Sequence, residues 1–244
     1  MRDASELRSA MQAGGPVIGL WCSIPTSLTA ESAAAAGPDY VVVDQQHGAV
    51  DQTTLMAMLQ AIAGAGVAPL VRVAVNDAWV IGNVLDLGAA GVIVPMVEDG
   101  GQAAHALSSC RYAPAGRRSF GALRGAAGGD PLCLVMVETR AGLEHAEEIA
   151  ATPGLDGIYI GPSDLALSLG LAPTPRLEHA AVLEAVEQVR AACAQRGVIC
   201  GLHCLASQDA ARFAADGVAM VTAGGDLLHL RQALASAVAS ARGV

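Results

Sequence analysis

The stretch LCLVMVETRAGLEHAEEIAATPGLDGIYIGPSD, Leu132 to Asp164, reads as one strand–helix–strand unit. Leu132–Glu138 is an apolar run of strand length, and Gly157–Ile160 is a second. Between them Ala141–Ala150 has helical composition, and Pro153 and Gly154 then break it. Strands joined through a helix run parallel, because antiparallel neighbours need only a short turn.

The same alternation extends in both directions. Further strands are expected over Val17–Cys22, Tyr40–Asp44, Pro69–Val73, Gly91–Pro95, Val198–Leu202 and Val218–Thr222. Further helices are expected over Leu28–Ala36, Thr53–Ala63, Ala78–Leu87, Ala103–Ser109, His179–Arg196, Ser207–Ala215 and Leu227–Ala241. Eight strands alternating with helices imply right-handed crossovers and a closed parallel (β/α)8 barrel. A length of 244 residues suits one such domain, spanning 1–244. An open doubly wound sheet is the alternative, weakened because no GxGxxG or P-loop follows the first strand. The longest irregular stretch is Arg111–Asp130, rich in Gly and Arg, and a second lies near Pro173–Arg176.

Composition narrows the function classes. Hydrophobic residues make up 53% and aromatics only 3%, so the core is expected from Ala, Val, Leu and Ile. A net charge of -9 with no basic run argues against nucleic acid. Gly and Pro break the longest uncharged runs, which argues against a membrane span. The charged start, with Arg2, Asp3, Glu6 and Arg8, does not read as a signal peptide. Six scattered cysteines without a CxxC pair read as reduced core thiols of a cytoplasmic protein.

Barrel enzymes place their chemistry where strands end, so polar residues closing the apolar runs are the candidates. Glu138 closes Leu-Val-Met-Val-Glu, and Asp164 follows Ile-Tyr-Ile-Gly-Pro-Ser. Two carboxylates at neighbouring strand mouths can share a hard cation such as Mg²⁺, which leaves its other positions to water and substrate oxygens. Taken singly, Glu138 could be an ion-pair partner of Arg140, and Asp164 a helix cap. Gly161, Pro162 and Ser163 can open a short helix whose free N–H groups suit a substrate carboxylate. Arg72 closes Ala-Pro-Leu-Val-Arg, where a guanidinium can hold an oxyanion or pair with a structural carboxylate. His47, just past Asp44 and before Gly48, can move protons near neutral pH. His203 between Cys200 and Cys204 invites a zinc reading, which fails because no second Cys/His pair at zinc spacing accompanies it. The other histidines fall on expected helices and read as surface or packing residues.

These pieces, in this order, resemble the HpcH/HpaI aldolase family from about Gly19 to Leu228. The resemblance rests on Val-Val-Asp-Gln-Gln-His-Gly, Val-Arg-Val, Leu-Asp-Leu-Gly-Ala-Ala-Gly-Val-Ile-Val-Pro-Met-Val, Arg-Tyr-Ala-Pro-Ala-Gly-Arg-Arg-Ser, Val-Glu-Thr-Arg and Ile-Gly-Pro-Ser-Asp-Leu. It implies a metal-dependent aldolase joining or cleaving a pyruvate- or hydroxypyruvate-type enolate and an aldehyde. It matches Glu138 and Asp164 to ligands of a divalent ion (Mg²⁺, Mn²⁺ or Co²⁺). It matches Arg72 to the ketoacid-holding arginine, the backbone at Ser163 and Asp164 to the carboxylate seat, and His47 to the acid/base. Asp86 it matches to an aspartate that supports this histidine from a neighbouring subunit. It also implies a homo-oligomer, commonly a hexamer, with exchanged C-terminal helices. Two positions depart from the pattern: Gln46 stands where many members carry Glu, and Met136 where many carry Gln. The first removes a charge beside His47, the second a polar group near the metal.

The chain contains no lysine, since every one of its 14 Lys+Arg residues is arginine. That excludes a lysine Schiff-base aldolase. An enolate-using decarboxylase or condensing enzyme, and a non-catalytic ketoacid-binding oligomer, remain as alternatives.

Overall fold

Runs such as Tyr40-Val-Val-Val are apolar on both faces, so they bury fully only in a sheet covered on both sides. The computed structural model describes residues 3–121, 123–124 and 129–243 and meets that demand by closure. The strands are β1 (Val17–Cys22), β2 (Tyr40–Asp44), β3 (Ala68–Arg72), β4 (Gly91–Val94), β5 (Leu132–Val137), β6 (Gly157–Ile160), β7 (Ile199–Cys204) and β8 (Met220–Gly225). Each pairs in parallel with the next, and β8 pairs back onto β1. The fold is a (β/α)8 barrel, and the open-sheet alternative is excluded.

The helices are α1 (Ala4–Gln12), α2 (Ser27–Ala35), α3 (Gln52–Gly64), α4 (Ala78–Asp86), α5 (Gly100–Cys110), α6 (Arg140–Glu144), α7 (Ala146–Ala150), α8 (Pro162–Ser168), α9 (Ala180–Arg196), α10 (Ser207–Ala215) and α11 (Asp226–Arg242). Asp51, Asp77 and Asp99 cap α3, α4 and α5 by accepting backbone N–H bonds at the end nearest the strand mouths. Each such cap is worth about 1 kcal/mol.

The structure departs from the sequence reading in three places. The helix expected over Ala141–Ala150 breaks at His145, whose φ of -102° and ψ of 14° leave the helical region, giving α6 and α7. Strands β7 and β8 run two to three residues further toward the mouth than expected. The short helix expected to open at Gly161-Pro162-Ser163 does form, as α8. Helix α1 was not anticipated. Asp3 caps it, and its buried Ala4, Leu7 and Met11 join the interior cluster of the barrel. Part of the irregular Arg111–Asp130 stretch, at 122 and 125–128, lies outside the described residues.

The strands alternate strictly between two cores. Val41, Val43, Val71, Val92, Val94, Cys133, Val135, Val137, Ile158 and Ile160 face the helices. Tyr40, Val42, Leu70, Ile93, Leu132, Leu134, Met136, Tyr159 and Met220 fill the barrel. All six cysteines are buried and free. Inside the barrel the Tyr40 hydroxyl lies 3.3 Å from Thr222 Oγ1, and the Tyr159 hydroxyl bonds the same oxygen. Gly19 and Gly201 are the cross-strand partners of Tyr40 and Tyr159. A side chain at either glycine would collide with the neighbouring ring. These two glycines therefore make room for two large rings in a layer otherwise built from aliphatics.

Candidate active site

The alternation that builds the inner core also aims the polar residues. Asp44 follows Tyr40 and Val42 on the inward parity of β2, and Arg72 follows Ala68 and Leu70 on β3. Glu138 follows Leu132, Leu134 and Met136, one residue past β5. His203 shares the inward parity of Gly201 on β7. Four polar groups thus crown one apolar barrel at its C-terminal mouth.

Asp44 and Arg72 are cross-strand partners and form a fork: Nε donates to Oδ1 at 2.9 Å and Nη2 to Oδ2 at 2.6 Å. Both are buried, and the guanidinium also stands 5.0 Å above the Trp21 ring. Burial alone would raise the Asp44 carboxyl. The hydrogen bonds and charge of Arg72, helped by Trp21 and the His47 N–H, hold it below the usual carboxylate range. The same Oδ1 accepts the backbone N–H groups of Gln46 at 3.0 Å and His47 at 3.3 Å. Asp44 therefore fixes both Arg72 and the turn that carries His47. Gly48 closes that turn, because a side chain there would strike the Asp44 carbonyl oxygen. The His47 side chain is exposed.

Glu138 Oε1 accepts the Met96 N–H at 2.8 Å, while Oε2 is buried with no partner. Met96 adopts a φ of 56°, a left-handed conformation unusual for a side-chain-bearing residue. Gly161 lies against the carboxylate: a Cβ there would stand 2.9 Å from Glu138 Cβ and 2.9 Å from Met136 Cε. Burial pushes the Glu138 carboxyl up to about 7; the Met96 N–H and Arg72 oppose the rise, and Asp164 and Asp44 add to it. Asp164 occupies the first turn of α8, half-buried. A buried carboxylate oxygen without a donor, next to a second carboxylate, is a donor set suited to a hard divalent cation. Among the described residues no three His, Cys, Asp or Glu side chains converge on one point. Glu138 and Asp164 could therefore supply at most two carboxylates to a cation, with water and substrate completing its coordination, as is common for Mg²⁺.

A cavity of 260 Å³ opens at this mouth, bordered by Trp21, Asp44, Arg72, His203, Asp226 and Arg231. Asp226 is already engaged, accepting the N–H groups of Ser23 at 2.9 Å and Ile24 at 3.1 Å. Pro162 and Ser163 border an adjoining pocket that also touches His203. The strand ends thus bring together Asp44, Arg72, Glu138 and Asp164, with Gly161, Pro162 and Ser163 beside them and His47 in the turn after Asp44.

Asp86 is not brought to His47 within the chain. It is the last residue of α4, which runs back from the mouth, and it pairs with Arg118 at 2.6 Å. The zinc alternative for His203 finds no support in the geometry, because Cys200 and Cys204 face the outer core while His203 faces inward.

Sequence reasoning missed Trp21, Met96, Asp226 and the inward role of His203. Ending the seventh strand at Leu202 hid His203, and the parity of Gly201 one step earlier would have exposed it. Met96 acts through its backbone and left no signal.

The model of the HpcH/HpaI aldolase/citrate lyase family matches residues 17–233. The chain is 37% identical to a hydroxypyruvate/pyruvate aldolase of Rhizorhabdus wittichii, over 98% of this chain and 99% of the relative. It superposes with a TM-score of 0.89 on a family protein from Burkholderia cenocepacia J2315, at 31% identity over 97% and 98% of the two chains. It also superposes with a TM-score of 0.88 on the citrate synthase SbnG, at 32% identity over 97% of each chain. A family match across nearly the whole barrel, on a site whose strand-end residues share one mouth, settles the assignment: the chain belongs to the HpcH/HpaI aldolase/citrate lyase family.

Proposed function

We propose that this protein is a divalent-metal-dependent aldolase, a carbon–carbon lyase working between a pyruvate- or hydroxypyruvate-type enolate and an aldehyde. The observation that carries the reading is the unpartnered, buried Oε2 of Glu138 beside Asp164, at the mouth that Arg72 also faces. Similarity to the hydroxypyruvate/pyruvate aldolase supports the substrate class.

Glu138 and Asp164 would hold the cation, Mg²⁺, Mn²⁺ or Co²⁺. When bound, it supplies Lewis-acid stabilisation of the negative charge that builds on a 2-oxoacid's keto oxygen. Arg72 adds a fixed positive contact to the same oxygen. Its Nε and Nη2 are committed to Asp44, and Nη1 makes no hydrogen bond among the described residues, so its donors are free for substrate. The first-turn N–H groups of α8, after Gly161 and Pro162 and at Ser163, receive the ketoacid carboxylate. His47 moves the proton as the carbon–carbon bond breaks or forms. Asp86 orients His47 from a neighbouring subunit.

Assembly is part of the reading. Helix α11 buries none of its residues, and Leu227, Leu230, Leu234 and Val238 lie exposed along it, as do Trp79 and Phe120 elsewhere. Apolar surface of this kind is expected to be covered by further copies, in a hexamer. Residues 1–244 would form one domain, with α11 serving the assembly. No helix among the described residues is long and apolar enough to cross a membrane. Six buried free thiols fit a reducing, cytoplasmic setting.

Similarity to a citrate synthase favours a second reading, in which the same enolate attacks a different carbonyl partner. Product analysis separates the two. Incubation with pyruvate, hydroxypyruvate or oxaloacetate, each with a panel of aldehydes and with or without chelator, should give aldol products that vanish with the metal. Full turnover in a chelated, metal-free sample overturns the metal-dependent reading.

A further inference from the structure

The imidazole of His203 has no place in the chemistry described so far, yet it sits in the wall of the mouth. It borders both the 260 Å³ cavity of Arg72 and Trp21 and the adjoining pocket of Pro162 and Ser163. The groups assigned to the ketoacid therefore flank it on two sides. The ring keeps some exposure, but its Nδ1 is shut away from solvent with no hydrogen-bond partner. Its packing neighbour is Trp21, edge to face at 4.6 Å between ring centres. Trp21 gives the His203 Nδ1 no hydrogen bond. Packing explains the presence of a flat ring here, but not of a ring with two polar atoms, where leucine or phenylalanine would serve.

Resting on the aldolase reading, we propose that His203 determines specificity by hydrogen-bonding a hydroxyl on the carbon next to the substrate carbonyl. Burial, and then the nearby Arg72 charge, push the imidazole down to about 4, so it is neutral at physiological pH. A neutral imidazole has one donor and one acceptor nitrogen, and a hydroxyl can answer either. A half-turn of the ring exchanges Nδ1 with Cδ2 and Nε2 with Cε1, so a nitrogen can face the cavity in either setting. A methyl or hydrogen in that position would leave the nitrogen unpaired, which is how a polar site rejects a deoxy analogue. The hydroxyl can come from either substrate: the ketoacid, as in hydroxypyruvate against pyruvate, or the acceptor, as in glycolaldehyde against acetaldehyde.

The experiment compares kcat/KM for both pairs in the Mg²⁺-loaded wild type, His203→Leu and His203→Gln. In His203→Leu the preference for one hydroxylated substrate over its deoxy partner should fall about tenfold, the worth of one ordinary hydrogen bond. His203→Gln, which keeps a donor and an acceptor, should recover part of it. A change in the donor pair places the hydroxyl on the ketoacid, and one in the acceptor pair places it on the aldehyde. Unchanged ratios for both pairs in an active His203→Leu enzyme overturn the inference and leave the aldolase reading standing. Absence of turnover by the wild type overturns that reading instead. Calorimetric titration of the wild type with each of the four compounds then decides the inference without activity or variants. Tighter binding of a hydroxylated compound than of its deoxy partner supports it, and equal binding in both pairs overturns it.

Discussion

Arg72 and Asp44 face each other across β2 and β3 and share two hydrogen bonds, of 2.9 and 2.6 Å, inside the barrel mouth. One carboxylate thereby orients the arginine and anchors the turn of His47. Asp44→Asn should therefore damage two things together. Removing the charge from one side of a buried pair costs about 3–5 kcal/mol, and catalysis should fall with Arg72 misaligned. Urea unfolding and turnover measured on one preparation check this; a variant of unchanged midpoint and unchanged kcat/KM refutes it.

Acid should act on the same pair. The Asp44 carboxyl is held below its unfolded value, so its contribution is complete above the ordinary carboxylate pKa and disappears as pH falls through the lower folded one. Thermal midpoints of the wild type should drop below about pH 4. Asp44→Asn should show a shallower drop across that window. Parallel curves for the two proteins would show that other groups govern the acid transition.

The carboxylates Glu138 and Asp164 are expected to act as one unit. Glu138→Ala and Asp164→Ala should each abolish turnover and weaken Mn²⁺ binding in a calorimetric titration. Retention of wild-type affinity by either variant removes that residue from the ligand set.

Gly161→Ala tests the same centre without replacing a proposed ligand. The added methyl would press on the Glu138 side chain and Met136. Overpacking of this kind costs about 1–3 kcal/mol, and here the atoms that yield belong to a carboxylate proposed to hold the cation. Metal affinity should drop further than the unfolding midpoint implies. A full-affinity Gly161→Ala protein would mean that the carboxylate relaxes without consequence.

His47→Ala should slow turnover by about 10²-fold, the usual scale for a general acid or base, while ketoacid binding persists. Asp86→Ala should also be inactive if Asp86 serves the histidine of another copy. Co-expression of the two variants should then restore part of the activity, because mixed assemblies contain sites with both residues. A fully active monomer, or no recovery despite demonstrated subunit exchange, rules out the shared site.

Much of this was legible in the chain, for one physical reason. A strand's period of two leaves a readable mark, so the sequence alone places Asp44, Arg72 and Glu138 at strand ends. The barrel followed from the order of the elements. What escaped lacks such a mark. Met96 contributes through its amide, and an amide has no residue type. Asp226 anchors a loop from the start of α11, in a Gly-rich turn whose course no periodicity gives. Helix α1 hid because nine residues near a chain end look like an overhang until Leu7 and Met11 are seen in the interior cluster. Asp86 is the opposite case. A helical aspartate carries no signal of its own, only family resemblance marked it, and the single chain gives it Arg118 for company.

The two rings that meet at Thr222 also give the barrel a floor. With Tyr40 and Tyr159 filling that layer and α1 packed into the same interior cluster, the mouth is closed off from the far end of the barrel. Whatever sits deepest must enter first and leave last. In the proposed reaction, a ketoacid held at Arg72 and Ser163 would be committed once an aldehyde settled above it, and the product would depart by the way its parts arrived. Steady-state kinetics should accordingly show a compulsory order, ketoacid before aldehyde, and a random order would mean that the floor lies too deep to govern traffic.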